Sequence, residues 1–133
     1  MAIRAIRGAI TVSENSEAEI LAATRVLLEA IQKANPAMAV EDLASAWFTA
    51  TADLDAAYPA KAARQMGWTD LAMLCAQEMQ VRGSLKSCIR VLLHWNTDLP
   101  VSALKHVYLR EAGSLRPDWA DPEESIINNR GVL

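Results

Sequence analysis

Arg90 is the residue whose setting points most directly to chemistry. It lies within CIRVLL at residues 88–93, where its neighbours are apolar and favour a β-strand. A guanidinium cannot lose its proton, so its burial in such a segment demands an anion and several hydrogen bonds. Two interpretations fit this setting. Arg90 forms an internal salt bridge or occupies an exposed edge position, or it is a fixed cation that faces an anionic ligand.

Other cations are spaced so that they could line one site. Arg7 lies in the apolar first segment, and Tyr58, Lys61 and Arg64 follow at three-residue steps along one side of a predicted helix. Such spacing also describes a solvated helix face. The whole chain is acidic, with a net charge of -3. Cations gathered at one cleft would therefore indicate a local site for a carboxylate ligand.

Side chains that serve other kinds of chemistry are isolated in the sequence. Glu78 could accept a hydrogen bond from a substrate hydroxyl, although a surface glutamate is the simpler interpretation. Cys75 fits a small buried side chain, and no histidine is evidently placed to activate it. His94 and His106 lack metal-ligand spacing, and no Walker loop, GxGxxG or GxSxG motif occurs. We therefore expect no metal, no cofactor and no nucleotide-dependent reaction.

Length and composition limit the class of protein. The 133 residues suit one ordinary domain, and they are 52% hydrophobic and 22% charged. No apolar run reaches the length of about 18 residues that a membrane span needs, so we expect neither a signal peptide nor a transmembrane helix. With 13 basic and 16 acidic residues there is no basic surface for nucleic acid. Two cysteines without CxxC spacing favour a reduced, cytoplasmic protein.

Hydrophobic periodicity predicts alternating strands and helices around one sheet, which is an α+β or α/β class. Strands are expected at residues 3–12, 44–51, 71–76, 88–95 and 107–109, and helices at residues 16–33 and 58–66. A capping box at residues 16–19 begins the first helix, with Glu19 reaching back to Ser16. Gly8 predicts a bulge or a close backbone approach. Several segments are apolar on both faces, so we expect an oligomer.

A series of short motifs resembles the monofunctional chorismate mutases of the Bacillus type. The motifs are IRGA at residues 6–9, DL at 53–54, YPAKAAR at 58–64, CAQEM at 75–79, LKSCIRV at 85–91, HVYL at 106–109 and LRPD at 115–118. Each motif is weak alone, and their common order and spacing make the resemblance specific. It implies a single domain over residues 1–118. Residues 119–133 are left as a C-terminal tail, whose polar composition predicts mobility.

The resemblance also implies a fold, an assembly and a reaction. The implied fold is α+β, a mixed β-sheet packed on helices, in which three chains join their sheets into a trimeric pseudo-α/β barrel. Active sites would lie between neighbouring subunits of this homotrimer. The implied reaction is the Claisen rearrangement of chorismate to prephenate, an isomerisation on the route to phenylalanine and tyrosine. This pericyclic reaction needs no metal, cofactor or proton transfer.

Carried over position by position, the resemblance implies a role for each candidate residue. Arg7 and Tyr108 look like contacts to a substrate carboxylate, and Arg90 looks like the cation beside the ether oxygen. Glu78 and Cys75 look placed near the ring hydroxyl. The cations expected at the mouth of the site are Lys61, Arg64 and Arg116. The side chains expected to form its walls are Tyr58, Ala60, Met73, Leu74 and Leu115. Of these, Leu74 stands where family members can carry a hydroxyl residue.

A different function stays open at this point. A trimer of similar barrel architecture that binds a small metabolite, such as an imine-deaminase-like protein, could also use arginine to hold carboxylates. Such a protein has no reason to require Arg7, Glu78, Arg90 and Tyr108 together. A pure assembly module would leave Arg90 without an anionic ligand. These four residues are therefore the feature that separates the three interpretations.

Overall fold

The computed structural model describes residues 2–120, which form one five-stranded sheet and two α-helices. The strands are β1 (Ile3–Thr11), β2 (Leu43–Ala50), β3 (Met73–Gln77), β4 (Cys88–Asn96) and β5 (Val107–Leu109). The helices are α1 (Glu17–Ala34) and α2 (Ala60–Gln65). Each predicted strand and helix is present within two residues of its expected bounds. Most of the predicted mobile tail lies in residues 121–133, outside the described residues.

The sheet combines antiparallel and parallel pairs, in the order β3-β2-β4-β1-β5. Strand β4 is central and runs antiparallel to both β1 and β2. The outer strands β3 and β5 run parallel to β2 and β1 respectively. This mixed sheet with its packed helices confirms the predicted α+β class. None of the described helices is long and apolar enough to cross a membrane.

Helix α1 covers one face of the sheet and forms the main core with it. Alternate residues of β4, among them Ile89 and Leu93, are fully buried there. At Gly8 the helix and sheet approach so closely that a Cβ would lie 2.8 Å from Ile31 Cδ1 and 3.2 Å from the Val107 carbonyl. The pairing of β1 with β4 continues through Gly8 without interruption. The predicted close approach, rather than a bulge, therefore accounts for this glycine.

The start of α1 is capped as predicted on one side only. The Ser16 hydroxyl accepts a hydrogen bond from the Glu19 N–H at 3.2 Å. The predicted reciprocal bond, from the Ser16 N–H to the Glu19 carboxylate, is wrong, because the Ser16 N–H donates to the Glu14 carbonyl at 2.9 Å. The Glu19 carboxylate accepts a hydrogen bond from the Ser13 hydroxyl instead, at 3.2 Å. The turn between β1 and α1 thus provides the bonds that a capping box would have supplied.

The opposite face of the sheet, called the open face below, carries side chains that neither α-helix covers. Alternation along β4 places Arg90 and Leu92 there, and both are half-buried. The register sets Trp47 opposite Leu92 and Leu74 opposite Trp47. Trp47 is 47% exposed and Leu74 is 57% exposed. Adjacent exposed apolar side chains are typical of an interaction surface, which favours the expected association.

Candidate active site

The sheet register brings Arg7, Arg90 and Tyr108 to the open face. Ala9 on β1 lies opposite Arg90 of β4 and opposite Tyr108 of β5. Arg90 in turn lies opposite Thr49 of β2. Directly opposed residues on neighbouring strands project to the same face, so these side chains form one row across four strands. Arg7, two residues before Ala9, projects to the same face.

Arg90 and Glu78 form the charged centre of this face. Thr49 Oγ1 donates a hydrogen bond to Glu78 Oε2 at 2.6 Å, and Arg90 Nε lies 3.6 Å from the same oxygen. The buried Arg90 Nε donates no hydrogen bond to any of the described residues. A buried N–H group without an acceptor is costly unless a ligand supplies one. The guanidinium is therefore placed to donate a hydrogen bond to an oxygen atom that residues 2–120 do not supply.

A hydrogen-bond network at the start of β4 holds the chain just before Arg90. Ser87 has a φ of 51°, in the left-handed region that non-glycine residues rarely adopt. Its N–H and hydroxyl donate to Asp53 Oδ2 at 3.0 and 3.2 Å. Thr51 also donates to Asp53 and accepts the Cys88 N–H at 3.0 Å. The hydrogen bond from Thr51, with those from Ser87, lowers the pKa of Asp53, so the anion persists in mildly acidic solution.

Arg7 and Tyr108 lie among aromatic rings at the other end of the row. The Arg7 Cζ atom is 5.9 Å from the centroid of the Tyr108 ring and 5.8 Å from that of Trp119. His106 Nδ1 accepts the backbone N–H of Arg7 at 3.0 Å. Burial raises the pKa of Tyr108, although the nearby arginine charges oppose this shift. The phenol is therefore a neutral hydrogen-bond donor near neutral pH.

Arg116 is engaged within its own segment of chain. Its guanidinium donates to both carboxylate oxygens of Asp118, at 3.1 and 2.9 Å. Its Cζ atom lies 3.4 Å from the centroid of the Trp119 ring. The charge of Asp118 offsets much of the positive potential that we expected Arg116 to contribute. Leu115 and Trp119 pack against a small cluster that contains Tyr108, so Trp119, assigned to the tail, belongs to the folded domain.

Other predicted site residues surround a separate cavity of about 580 Å³, which Tyr58, Lys61 and Cys75 help to line. Tyr58 is 71% exposed, and Lys61 Nζ forms an ion pair with Glu17 at 3.1 Å. Cys75 lies opposite Phe48, whose side chain is in the main core. Cys75 therefore projects to the helix-covered face, so one chain does not bring it beside Arg90. Arg64 is exposed on α2.

The residues predicted to form the walls of the site are also divided between the helix-covered side and the open face of the sheet. Ala60 is only 4% exposed and packs in the main core, and Met73 packs against that core. Leu74 projects to the open face with Trp47. Two groups of candidate residues therefore exist on each chain. The sheet group consists of Arg7, Glu78, Arg90 and Tyr108, and the edge group consists of Tyr58, Lys61, Arg64 and Cys75.

The sheet group has the chemistry of a site for an anionic small molecule. It offers two guanidinium groups and one neutral phenol on strands, and the carboxylate of Glu78 directly after β3. Residues 2–120 contain no cluster of three His, Cys, Asp or Glu side chains that could hold a metal ion. Fold and site together define a small α+β protein with an arginine-bearing open sheet face whose chemistry suits an anionic ligand.

Comparison with known proteins identifies the family. The family model of chorismate mutase type I matches residues 3–119. Chorismate mutase AroH of Thermus thermophilus is 52% identical over 116 residues, which are 87% of this chain and 95% of that protein. Chorismate mutase AroH of Bacillus subtilis is 47% identical over 119 residues, 89% of this chain and 93% of that protein. A solved chorismate mutase from Clostridium thermocellum superposes with a TM-score of 0.81 at 50% identity, over 84% of this chain and 98% of that chain.

The chain therefore belongs to the chorismate mutase type I family. Its activity is that of a chorismate mutase, an isomerase of aromatic biosynthesis. The expected family is confirmed, and the alternative of a protein that only binds a small metabolite is not favoured.

His106 is expected to make the stability of this region depend on pH. Burial, with the charges of Arg116 and Arg7, lowers the pKa of His106 below 6.5. Its Nδ1 must also stay unprotonated to accept the Arg7 N–H. The unfolded chain therefore binds this proton more readily than the folded chain. Stability from this group is fully present above the unfolded pKa of about 6.5 and decreases as the pH falls below it.

Urea unfolding of the wild type and His106→Asn at one protein concentration, at about pH 7 and about pH 5, measures this effect. The asparagine amide would keep an acceptor at this position but does not titrate there. The unfolding free energy of the wild type should fall more between the two pH values than that of the variant. Equal decreases in both proteins would contradict the assignment.

Proposed function

We propose that the sheet group of one chain and the edge group of a neighbouring chain form an active site that converts chorismate to prephenate. The observation that carries this proposal is the buried Nε of Arg90, which has no acceptor among the described residues and lies 3.6 Å from Glu78. An ether or carboxylate oxygen of the substrate would complete its hydrogen bonding. This chemistry also explains why an acidic chain places Arg7 and Arg90 on one face of its sheet.

In the proposed reaction a C–O bond breaks as a C–C bond forms within one molecule. Negative charge develops on the ether oxygen in the transition state, and the fixed guanidinium of Arg90 stabilises it. Arginine suits this role because its forked donors can bind an ether oxygen and a carboxylate together. The bond changes are intramolecular, so the site needs no cofactor, metal ion or nucleophile. It must hold the substrate in its reactive conformation.

The other members of the sheet group would orient the substrate. Arg7 and the neutral hydroxyl of Tyr108 bind a carboxylate at one end of the row. Glu78 accepts a hydrogen bond from the ring hydroxyl of the substrate. Thr49 holds the Glu78 carboxylate in place through its 2.6 Å hydrogen bond. Thr49 was not among the residues expected from the sequence. Its role depends on strand register, which places it opposite Arg90.

A homotrimer would bring the two groups of residues together. Three members of the edge group, Tyr58, Lys61 and Cys75, line a cavity beside β3, whereas the sheet group projects from the open face. A second copy can therefore supply what one chain lacks, with Lys61 and Arg64 adding positive charge and Tyr58 forming a wall. The exposed side chains of Trp47 and Leu74 support association through the open face. We propose that three chains close in this way into a pseudo-α/β barrel.

The proposed setting is the cytoplasm, with chorismate and prephenate as the ligands and no nucleic acid or membrane partner. Cys75 and Cys88 are free thiols, as is usual in a reducing compartment. A net charge of -3 supports the absence of a nucleic-acid partner.

Incubation of the purified protein with chorismate tests the function directly. We expect loss of chorismate absorbance and appearance of an equal amount of prephenate on chromatography. An Arg90→Ala variant in the same assay controls for contaminating enzyme and for the spontaneous reaction. Binding of chorismate without formation of prephenate would instead support the metabolite-binding alternative.

The turnover number should be nearly independent of pH between about pH 6 and pH 9, because the reaction uses no general acid or base. Arginine stays protonated over this range, and burial keeps Tyr108 neutral by raising its pKa above 10. The measurement is kcat at saturating chorismate across the range, with assembly checked at each pH. A bell-shaped profile of the chemical step would indicate proton transfer and contradict the mechanism.

A further inference from the structure

Trp119 lies between two other side chains, with one on each face of its indole ring. The His106 ring stacks on it with a centroid distance of 3.8 Å and an interplanar angle of 30°. The Arg116 Cζ atom lies 3.4 Å from the same indole centroid. Two groups this close to the centroid cannot share one face of the ring, because their atoms would overlap. Trp119 is therefore sandwiched between an imidazole and a guanidinium.

The same indole ring contacts the sheet group at its carboxylate-binding end. The Tyr108 ring lies 5.9 Å away at an interplanar angle of 58°, and the Arg7 Cζ atom lies 5.8 Å away. His106, on the face of the indole ring opposite Arg116, accepts a hydrogen bond from the backbone N–H of Arg7. The next residue, Ala120, forms a parallel β-bridge with Tyr108. Both the side chain and the following backbone thus attach this segment to β5.

We propose that Trp119 is a positioning residue that holds the Arg116 guanidinium beside Arg7 and Tyr108, where it contributes to binding of a substrate carboxylate. This inference rests on the proposed function. The ion pair of Arg116 with Asp118 is exposed, and an exposed pair orders a long side chain only weakly. Stacking on an indole face adds a cation–π attraction and fixes the plane of the guanidinium. The ordered cation lowers the entropy lost on substrate binding.

The principal test compares Trp119→Leu and Trp119→Phe, each with and without Arg116→Ala. Leucine keeps an apolar contact for His106 but removes the aromatic face, and we expect KM to rise about 5- to 30-fold with kcat changed less than about 2-fold. Phenylalanine should preserve most of the affinity. In the Arg116→Ala background, Trp119→Leu should change KM by less than about 2-fold, because the positioned group is already absent.

A matched control is Arg25→Ala, since Arg25 forms an exposed ion pair with Glu29 at 2.7 Å on α1. This variant should leave KM and kcat unchanged. An equal rise in KM from Trp119→Leu in both Arg116 backgrounds would overturn the proposal. A fall in kcat at constant KM would overturn it as well.

A second comparison does not depend on the stability of the Trp119 variants. Arg116→Lys keeps the positive charge but cannot stack as a planar guanidinium, so it should bind prephenate as weakly as Arg116→Ala does in calorimetry. Wild-type affinity in Arg116→Lys would refute the role of the stack. A wild-type protein that binds prephenate without converting chorismate would refute the proposed function, and the same binding series would still test the stacking of Arg116 on Trp119.

Discussion

Replacement of Arg90 by lysine is expected to lower kcat by about 100-fold or more, with a smaller change in KM. Lysine keeps the positive charge but loses the forked donors that can bind the ether oxygen and a carboxylate together. The transition state therefore loses more than the ground state. Replacement by citrulline, which keeps the shape and removes the charge, should lower kcat at least as much.

Steady-state kinetics with chorismate gives both parameters for each Arg90 variant. Circular dichroism and the mass of the assembly should match the wild type, which separates loss of catalysis from loss of folding. Arg25→Lys, at an exposed position on α1, is the matched control and should retain wild-type kinetics. A correctly assembled Arg90→Lys enzyme with wild-type kcat would falsify electrostatic stabilisation by this residue.

A charged residue on the open face should abolish assembly and activity together. Trp47→Glu places a carboxylate among the apolar side chains proposed to meet between chains, and burial of an unpaired charge opposes association. We expect a monomeric variant with kcat/KM lowered by more than about 100-fold, because it lacks the edge group of a neighbour. Sedimentation and activity measured on the same dilution series give both quantities.

Val26→Glu provides the control for this substitution. Val26 is also an exposed apolar residue, at 44%, but it lies on α1 rather than on the open face. Its replacement should leave the sedimentation coefficient and the activity unchanged. A fully active Trp47→Glu monomer would rule out the shared site.

The elements of the fold could be predicted because their signals are local. The alternation of apolar residues through CIRVLLHW gives β4 its two faces, and the residues after Ser16 have a helical period that fits the buried side of α1. Arg90 is a candidate site residue on the same local grounds, since a guanidinium in an apolar strand needs an anionic partner. These elements alone left the α+β and α/β classes open, and the mixed sheet was expected from the resemblance.

Contacts between distant segments could not be predicted from the residues alone, because they depend on strand register. A shift by one residue exchanges the two faces of a strand, and the observed register places Thr49 beside Arg90 but turns Cys75 to the helix side. The stack of Trp119 between His106 and Arg116 likewise joins a strand end to a later turn. Composition had marked this segment only as a tail.

The central strand explains how Arg90 can act as a fixed charge. Strand β4 is hydrogen-bonded to neighbours on both sides, and Asp53 holds Ser87 at its start. A guanidinium on such a strand needs little reorganisation when charge develops on the substrate. We expect this rigidity, rather than a reactive side chain, to be the source of catalysis.

Mixing two inactive variants tests the shared active site most directly. Arg90→Ala disables the sheet group, and the double variant Lys61→Glu with Arg64→Glu disables the edge group. Equal amounts of the two variants are unfolded together and refolded, so that mixed trimers form. About one quarter of the wild-type activity should return, because each mixed trimer has one site built from two intact groups. If each site lay within a single chain, the mixture would stay as inactive as the two variants alone.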